Sequence, residues 1–139
     1  MDNQKGQSTV EFAFVLPLFL MIMFAAIYGG MMFYDFWHVK SVTENMARNA
    51  MLKVENNVLS DTAEENIKKV AKDDLKNKYG KLELTAYKVK EETITVKLDN
   101  DVITATINLE KKDDIPSIVS SLLPEEMPFE STMPVINSQ

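Results

Sequence analysis

Several kinds of residue are missing or scarce in this sequence of 139 residues. It contains no cysteine, which excludes disulfides, thiolate metal sites and a cysteine nucleophile. Its single histidine excludes a cluster of histidine ligands. Four glycines and five prolines are too few for a collagen-like or linker-dominated chain. We therefore expect no metal and no cofactor. The length suits one small domain with or without an appendage.

Basic charge is also in short supply. The chain has 15 Lys and Arg residues against 21 Asp and Glu residues, a net charge of −6. Because nucleic-acid phosphates favour basic proteins, we predict no nucleic-acid partner. The serines lack the sequence setting of a nucleophile elbow, and no glycine-rich loop could cradle a phosphate. Residues 99–101, Asp-Asn-Asp, lack the rest of a calcium loop and predict a turn. The sequence therefore does not predict an enzyme.

One region lacks charge altogether. No residue between positions 12 and 34 is charged, and a helix of that length covers about 34 Å, slightly more than the hydrocarbon core of a bilayer. A buried core helix would keep a polar stripe, and a secretory signal would be shorter and end in small residues. A membrane span is the best interpretation, with Tyr34 and Trp37 at the membrane interface.

Two features of this span stay open. The charges on its two sides do not fix its orientation, but the short leader and the large polar C-terminal region favour a cytoplasmic N-terminus. We therefore expect a single-pass cell (inner) membrane protein with an extracytoplasmic C-terminal domain. Pro17 lies inside the span, where it is either a tolerated membrane proline or a deliberately softened point of the helix.

The junction before the span is the most informative stretch. Glu11 stands directly against the apolar run, either as a charge that marks the membrane boundary or as a functional carboxylate. Lys-Gly, four residues and then Glu-Phe before an apolar helix resemble the leader of prepilins. The resemblance implies that a prepilin peptidase cuts after Gly6, that Gln7 becomes the new N-terminus, and that Glu11 pairs subunits in a filament.

The resemblance extends beyond the leader. The run GQSTVEFAFVLP at residues 6–17 is similar to the N-terminus of TadE/TadG-like proteins, as are residues 33–35 and the helix that contains residues 47–50. It implies a non-catalytic minor pilin or pseudopilin of Flp/Tad-type pili, either in the membrane or in the pilus at the cell surface. The implied partners are the prepilin peptidase, other pilins, the pilus assembly machinery and membrane lipid. The implied assembly residues are Glu11, Phe12 and Pro17.

Other function classes fit parts of the same sequence. The chain could be a membrane-anchored binding or sensor domain in which Glu11 is only a boundary charge. An anchored enzyme is a third class, which the absence of a recognisable catalytic motif disfavours. The predicted domains are a leader at residues 1–6, a transmembrane segment at 7–37 and an extracytoplasmic α+β domain at 38–139.

Two helices are predicted. The first runs through the transmembrane segment into the α+β domain, and the second lies within that domain. The first runs from about Ser8 to about Val54, and its second half has an apolar stripe made of Val39, Val42, Met46, Ala47, Ala50, Met51 and Val54. The second follows possible N-caps at residues 60–62 and continues to about Tyr79, with Gly80 as its stop. Its inward residues are expected to be Ala63, Ile67, Val70, Ala71 and Leu75, and its exposed lysines to form a solvated face.

Alternating apolar residues predict an antiparallel sheet after the second helix. The predicted strands are residues 82–86, 93–98 and 103–109, with a candidate fourth strand at 129–136 in which Pro134 suggests an edge position. A short helix or loop is expected between residues 115 and 123. The predicted fold is therefore α+β and pilin-like, with a long N-terminal helix, a second helix and a sheet of three to four strands.

Overall fold

The protein is described here by a computed structural model of residues 3–135, with side chains described from Val10 onward. The first helix, α1, covers Asn3–Met51 and the second, α2, covers Asp61–Leu75. The contacts within the chain divide it into two compact units, and the boundary lies between Tyr34 and Asp35. The predicted α+β fold is confirmed.

The strands lie in two antiparallel sheets. Strands β1 (Val54–Glu55) and β2 (Val58–Leu59) form a small hairpin. The larger sheet contains β3 (Tyr87–Val89), β4 (Thr95–Asp99), β5 (Val102–Lys111) and β6 (Glu126–Pro134), and a short helix α3 (Ser117–Leu122) precedes β6. β5 is central, because β3 and β4 pair with one of its edges and β6 pairs with the other.

Paired residues with positive φ close two of the hairpins. Asn56 and Asn57 (φ 52° and 59°) join β1 to β2, and Asn100 and Asp101 (φ 48° and 59°) join β4 to β5. Positive φ at both central residues is the geometry of a type I′ turn, which Asn and Asp tolerate better than other non-glycine residues. The predicted turn at residues 99–101 is therefore confirmed.

The core of the second unit lies between two helices and one face of the larger sheet. Every second residue of β5 is fully buried, and the other residues of that strand are partly exposed. The buried members of the core from α1, α2 and β5 are Val39, Val42, Met46, Ala47, Ala50, Ile67, Ala71, Leu75, Ile103, Ala105, Ile107 and Leu109. The helical stripe was predicted correctly from Val39 to Ala50, whereas Met51 is half-buried, and the alternation of the central strand was predicted correctly.

The predicted helix ends were wrong. α1 ends at Met51, and Val54 lies in β1, because the Asn56–Asn57 turn pairs Val54 with Leu59. The sequence analysis missed this hairpin because its two-residue strands are too short to alternate.

The second helix ends at Leu75 rather than near Tyr79. The Oδ1 atom of Asn77 accepts hydrogen bonds from the backbone N–H groups of Tyr79 (2.9 Å) and Lys81 (3.1 Å). Such a side chain offers the backbone an alternative to the helix. Gly80, with a φ of 73°, lies in this turn and does not stop the helix. Val70, which was predicted to point inward, is 54% exposed.

The start of the helix is among the predicted positions, because Ser60 is the N-cap and its Oγ accepts from the backbone N–H of Ala63 at 3.2 Å. The solvated face is also present: Lys68 of this helix pairs with Glu64 at 2.5 Å.

The strand predicted at residues 82–86 is absent. Those residues instead turn back on β3, with one isolated bridge between Glu83 and Lys88 and a hydrogen bond from Val89 N–H to the carbonyl of Leu82 at 2.8 Å. The alternation had predicted side-chain burial, since Leu82 and Leu84 are half-buried and Ala86 is buried. It did not predict that the backbone of residues 82–84 pairs with residues 87–89, because alternation reports side-chain burial and not backbone pairing.

The last strand, β6, is an edge strand of the described sheet. Pro134 is paired with Val102 and Pro128 with Asn108, and prolines are tolerated on an edge because they have no N–H to donate to a further strand. The predicted edge position of Pro134 is confirmed. Ile136, the predicted end of this strand, lies outside the described residues.

Candidate functional site

The candidate site is the N-terminal part of α1, where the sequence placed every predicted processing and assembly residue. The backbone is helical from Asn3, so Gly6, Gln7 and Glu11 all lie in helical backbone. Nothing further is described for Gly6 and Gln7, because they precede the first described side chain. In a helix, the four residues from Gln7 to Glu11 make about one turn, so the two positions lie on the same face.

The described side chains of this first unit are mostly exposed. Between residues 10 and 34, Tyr28 and Met32 are partly exposed and all the others are exposed. Glu11 and Pro17 are exposed, and Phe12 is 63% exposed. The helix is assigned without a break across Pro17. The unit therefore presents apolar surface on all its sides, which is typical of a helix that is stable in lipid or among other helices.

One helix among the described residues is long and apolar enough to cross a membrane. The candidate segment is Val10–Met51, and its most apolar window has a mean hydropathy of 2.5. Tyr34 is 63% exposed in the first unit, and Trp37 is 61% exposed in the second. Exposed aromatic side chains at such positions suit the interface between lipid and water.

Asp35, the first residue of the second unit, has a role that the sequence analysis missed. Its Oδ2 accepts a hydrogen bond of 2.7 Å from the backbone N–H of Thr85, fifty residues away. The neighbouring ring of Phe36 lies 5.6 Å from that of Tyr87 and 6.1 Å from that of Phe129. Asp35 thus holds the loop that precedes β3, and Phe36 packs against the sheet. No local pattern could have revealed this, because the partners are distant in sequence.

Among the residues that the structure describes, eight ion pairs join charged side chains of the second unit to one another. Its ion pairs include Lys72–Glu91 and Lys111–Glu125 at 2.5 Å and Lys90–Glu126 at 2.6 Å. Within the described part of the chain, no three His, Cys, Asp or Glu residues are grouped so that they could hold a metal ion. Every residue with a predicted processing, assembly or interface role lies in α1.

Comparison with known proteins agrees with this location. The chain gave no significant match to a curated protein or to a solved structure. Residues 6–51, about one third of the chain, match the family described as TadE-like protein. The match begins at Gly6 and ends with the last residue of α1. The resemblance predicted from the sequence is therefore confirmed, and over this segment the chain is similar to the TadE-like proteins.

Proposed function

We propose that this protein is a non-catalytic minor pilin or pseudopilin that is cut after Gly6 by a prepilin peptidase and then enters or primes a Tad-type pilus. The observation that carries the proposal is the TadE-like match over residues 6–51, which includes both the junction and the apolar helix. Its proposed partners are the peptidase, other pilins and the pilus assembly machinery in the membrane.

Before assembly, α1 would hold the protein in the cell membrane as a single span. The exposed apolar side chains of residues 10–34 support this role, because water contact costs about 25 cal/mol per Å² of apolar surface. The N-terminus would be cytoplasmic and the second unit extracytoplasmic. Two environments suit the same apolar surface, lipid before assembly and the helices of other pilins afterwards.

Glu11 is the charged residue that directly precedes the uncharged run. A carboxylate at the entry to hydrocarbon is costly unless it is neutralised. Cleavage after Gly6 would create an ammonium group at Gln7, and a neighbouring subunit or a major pilin would bring that group to Glu11. In low dielectric such a pair is favoured over either charge alone. Phe12 and Pro17, both exposed, would lie in the same subunit contact.

The processing step is tested by mass spectrometry of the protein from cells with an active prepilin peptidase. We expect the mature chain to begin at Gln7. Gly6→Leu should leave the precursor uncut but still in the membrane, because a bulky side chain at the cut does not change the span. An intact N-terminus on the wild-type protein in such cells would contradict the processing step.

The assembly step is tested with Glu11→Ala. We expect normal membrane level, normal cleavage and fewer pili, because removal of the charge eases insertion but removes the pairing partner. Glu55→Ala is the matched control, since Glu55 is an exposed carboxylate in the second unit, and it should leave piliation unchanged. Wild-type piliation in the Glu11→Ala strain would favour a boundary charge, as in a membrane-anchored binding domain.

A further inference from the structure

The connection between β5 and β6 carries an apolar surface that the described residues of the chain leave uncovered. Residues 115–124 contain no charge and include α3. Ile118 and Leu122 of this helix are 76% and 79% exposed. Residues four apart in a helix lie on the same face, so the two side chains form one apolar patch. Exposed patches of this kind mark surfaces that meet a partner or a membrane.

This patch is held in place by hydrogen bonds to the sheet. The Nζ of Lys111 donates to the carbonyl of Ser120 at 3.2 Å, and the hydroxyl of Tyr87 donates to the carbonyl of Pro124 at 3.0 Å. The Lys111 side chain is only 11% exposed, and it also pairs with Glu125. The helix is thus fixed to the domain through its backbone while Ile118 and Leu122 remain exposed.

The same hydrogen bonds place the patch at a particular end of the sheet. Tyr87, which holds Pro124, packs its ring against Phe36 at 5.6 Å. In the sheet, Tyr87 pairs with Lys111, which is the last residue of β5. The connection therefore lies at the end of the sheet where the second unit begins. Phe36 is two residues beyond Tyr34, the last residue of the uncharged run.

We infer that Ile118 and Leu122 contact the lipid surface while α1 is in the membrane. The inference rests on the proposed membrane insertion of α1, because chain continuity then keeps this end of the sheet near the bilayer. An apolar helical face without charge suits the boundary between headgroups and acyl chains. Three of the carboxylates that flank the patch are paired with a lysine, Asp114 with Lys112, Glu125 with Lys111 and Glu126 with Lys90.

The test uses the full chain, whose lack of cysteine allows single labelling sites. Ile118→Cys and Leu122→Cys are labelled with an environment-sensitive fluorophore and reconstituted into phosphatidylcholine vesicles. Leu52→Cys is the matched control. Leu52 is equally exposed, at 78%, but it directly follows the C-terminal end of α1, whereas Phe36 lies near the start of the second unit. Vesicles with a quencher on the lipid are compared with vesicles to which a water-soluble quencher is added.

We expect labels at positions 118 and 122 to emit at shorter wavelength than the label at 52 and to be quenched mainly from the lipid. Quenching from water equal to that at position 52 would overturn the inference. A label shielded from both quenchers would also overturn it, because protein would then cover the patch. Ile22→Cys, in the uncharged run, reports insertion separately: if its label is not quenched from the lipid, the proposed membrane span itself has failed.

Discussion

The two parts of α1 have the same backbone geometry and opposite side-chain environments. Between residues 10 and 34, almost every side chain is exposed, including Phe14 at 77%. Between residues 35 and 51, buried and exposed positions alternate with helical period, and Val39, Ala47 and Ala50 are fully buried. Hydrogen bonding of the helix satisfies the backbone in both parts. The difference lies in what covers the side chains.

This comparison shows how one helix serves two purposes. The second part finds its apolar partners within its own domain, so its stability is a property of the single chain. Among the described side chains of its own unit the first part has no such partners, and its apolar surface suits lipid or the helices of other proteins. Four changes test this contrast, and they are given from the largest expected effect to the smallest.

The first prediction separates the two units. Residues 35–139 alone should fold into a soluble domain, because the core residues from α1, α2 and β5 all lie within them. A small domain of this kind has a net free energy of unfolding of roughly 5 kcal/mol. Circular dichroism and urea unfolding measure it. A disordered spectrum would contradict the claim that the second unit supplies its own core.

The second prediction concerns the core of that domain. Leu109→Ala should lower the free energy of unfolding by about 2–5 kcal/mol, because it leaves a cavity around a side chain that is fully buried. Leu52→Ala removes the same atoms from a side chain that is 78% exposed, and it should change the free energy by no more than about 0.5 kcal/mol. If urea unfolding shows that both variants lose the same free energy of unfolding, Leu109 does not belong to the core.

The third prediction tests the attachment at the boundary. Asp35→Ala removes the acceptor of the Thr85 N–H bond and should cost about 1.5 kcal/mol, since a hydrogen bond to a charged group in a part-exposed site is lost. Asp35→Asn keeps an oxygen that can accept the bond, so it should cost less. If both variants unfold at the wild-type urea concentration, the carboxylate does not hold the loop of residues 82–86.

The fourth prediction concerns pH, where the expected effects are smallest. A hydrogen bond from Lys72 holds the pKa of Glu91 below its ordinary value of 4.5. A carboxyl whose pKa is lowered by folding contributes stability above the unfolded pKa, and that contribution is lost as the pH falls through the folded one. The fragment should therefore lose stability below about pH 4.5, and Glu91→Gln should make this loss shallower. Glu65→Gln, which removes an exposed charge from α2, is the control.

At alkaline pH, a stabilising contribution is lost as the pH rises instead of as it falls. Burial, and then the charge of Glu125, raise the pKa of Tyr87 above its ordinary value of 10.0. The neutral phenol is favoured in the fold, so its contribution is present below about pH 10 and is lost as the pH rises through the folded pKa. Tyr87→Phe should abolish this part of the alkaline loss. An unchanged alkaline profile in that variant would show that other groups cause it.

The sequence by itself determined the features that depend on local pattern. Local patterns indicate which environment the side chains need. The unbroken apolar run and the stripe at helical spacing predicted the long helix and the buried side of its second half. The alternation predicted the buried face of β5. The leader motif also needs no structure, because it is read from the order of residues near Gly6. The TadE-like match begins at Gly6 and confirms the resemblance to that family, and cleavage after Gly6 stays a prediction.

The tertiary structure decided what depends on distant partners. The carboxylate of Asp35 bonds to Thr85 fifty residues away. Nearer in sequence, the backbone of residues 82–84 pairs with residues 87–89 instead of forming the strand that the alternation suggested. The exposure of Val70, Ile118 and Leu122 was equally invisible in the sequence. The physical reason is that an apolar residue is defined locally by its chemistry, but its burial depends on whether the folded chain brings another surface against it.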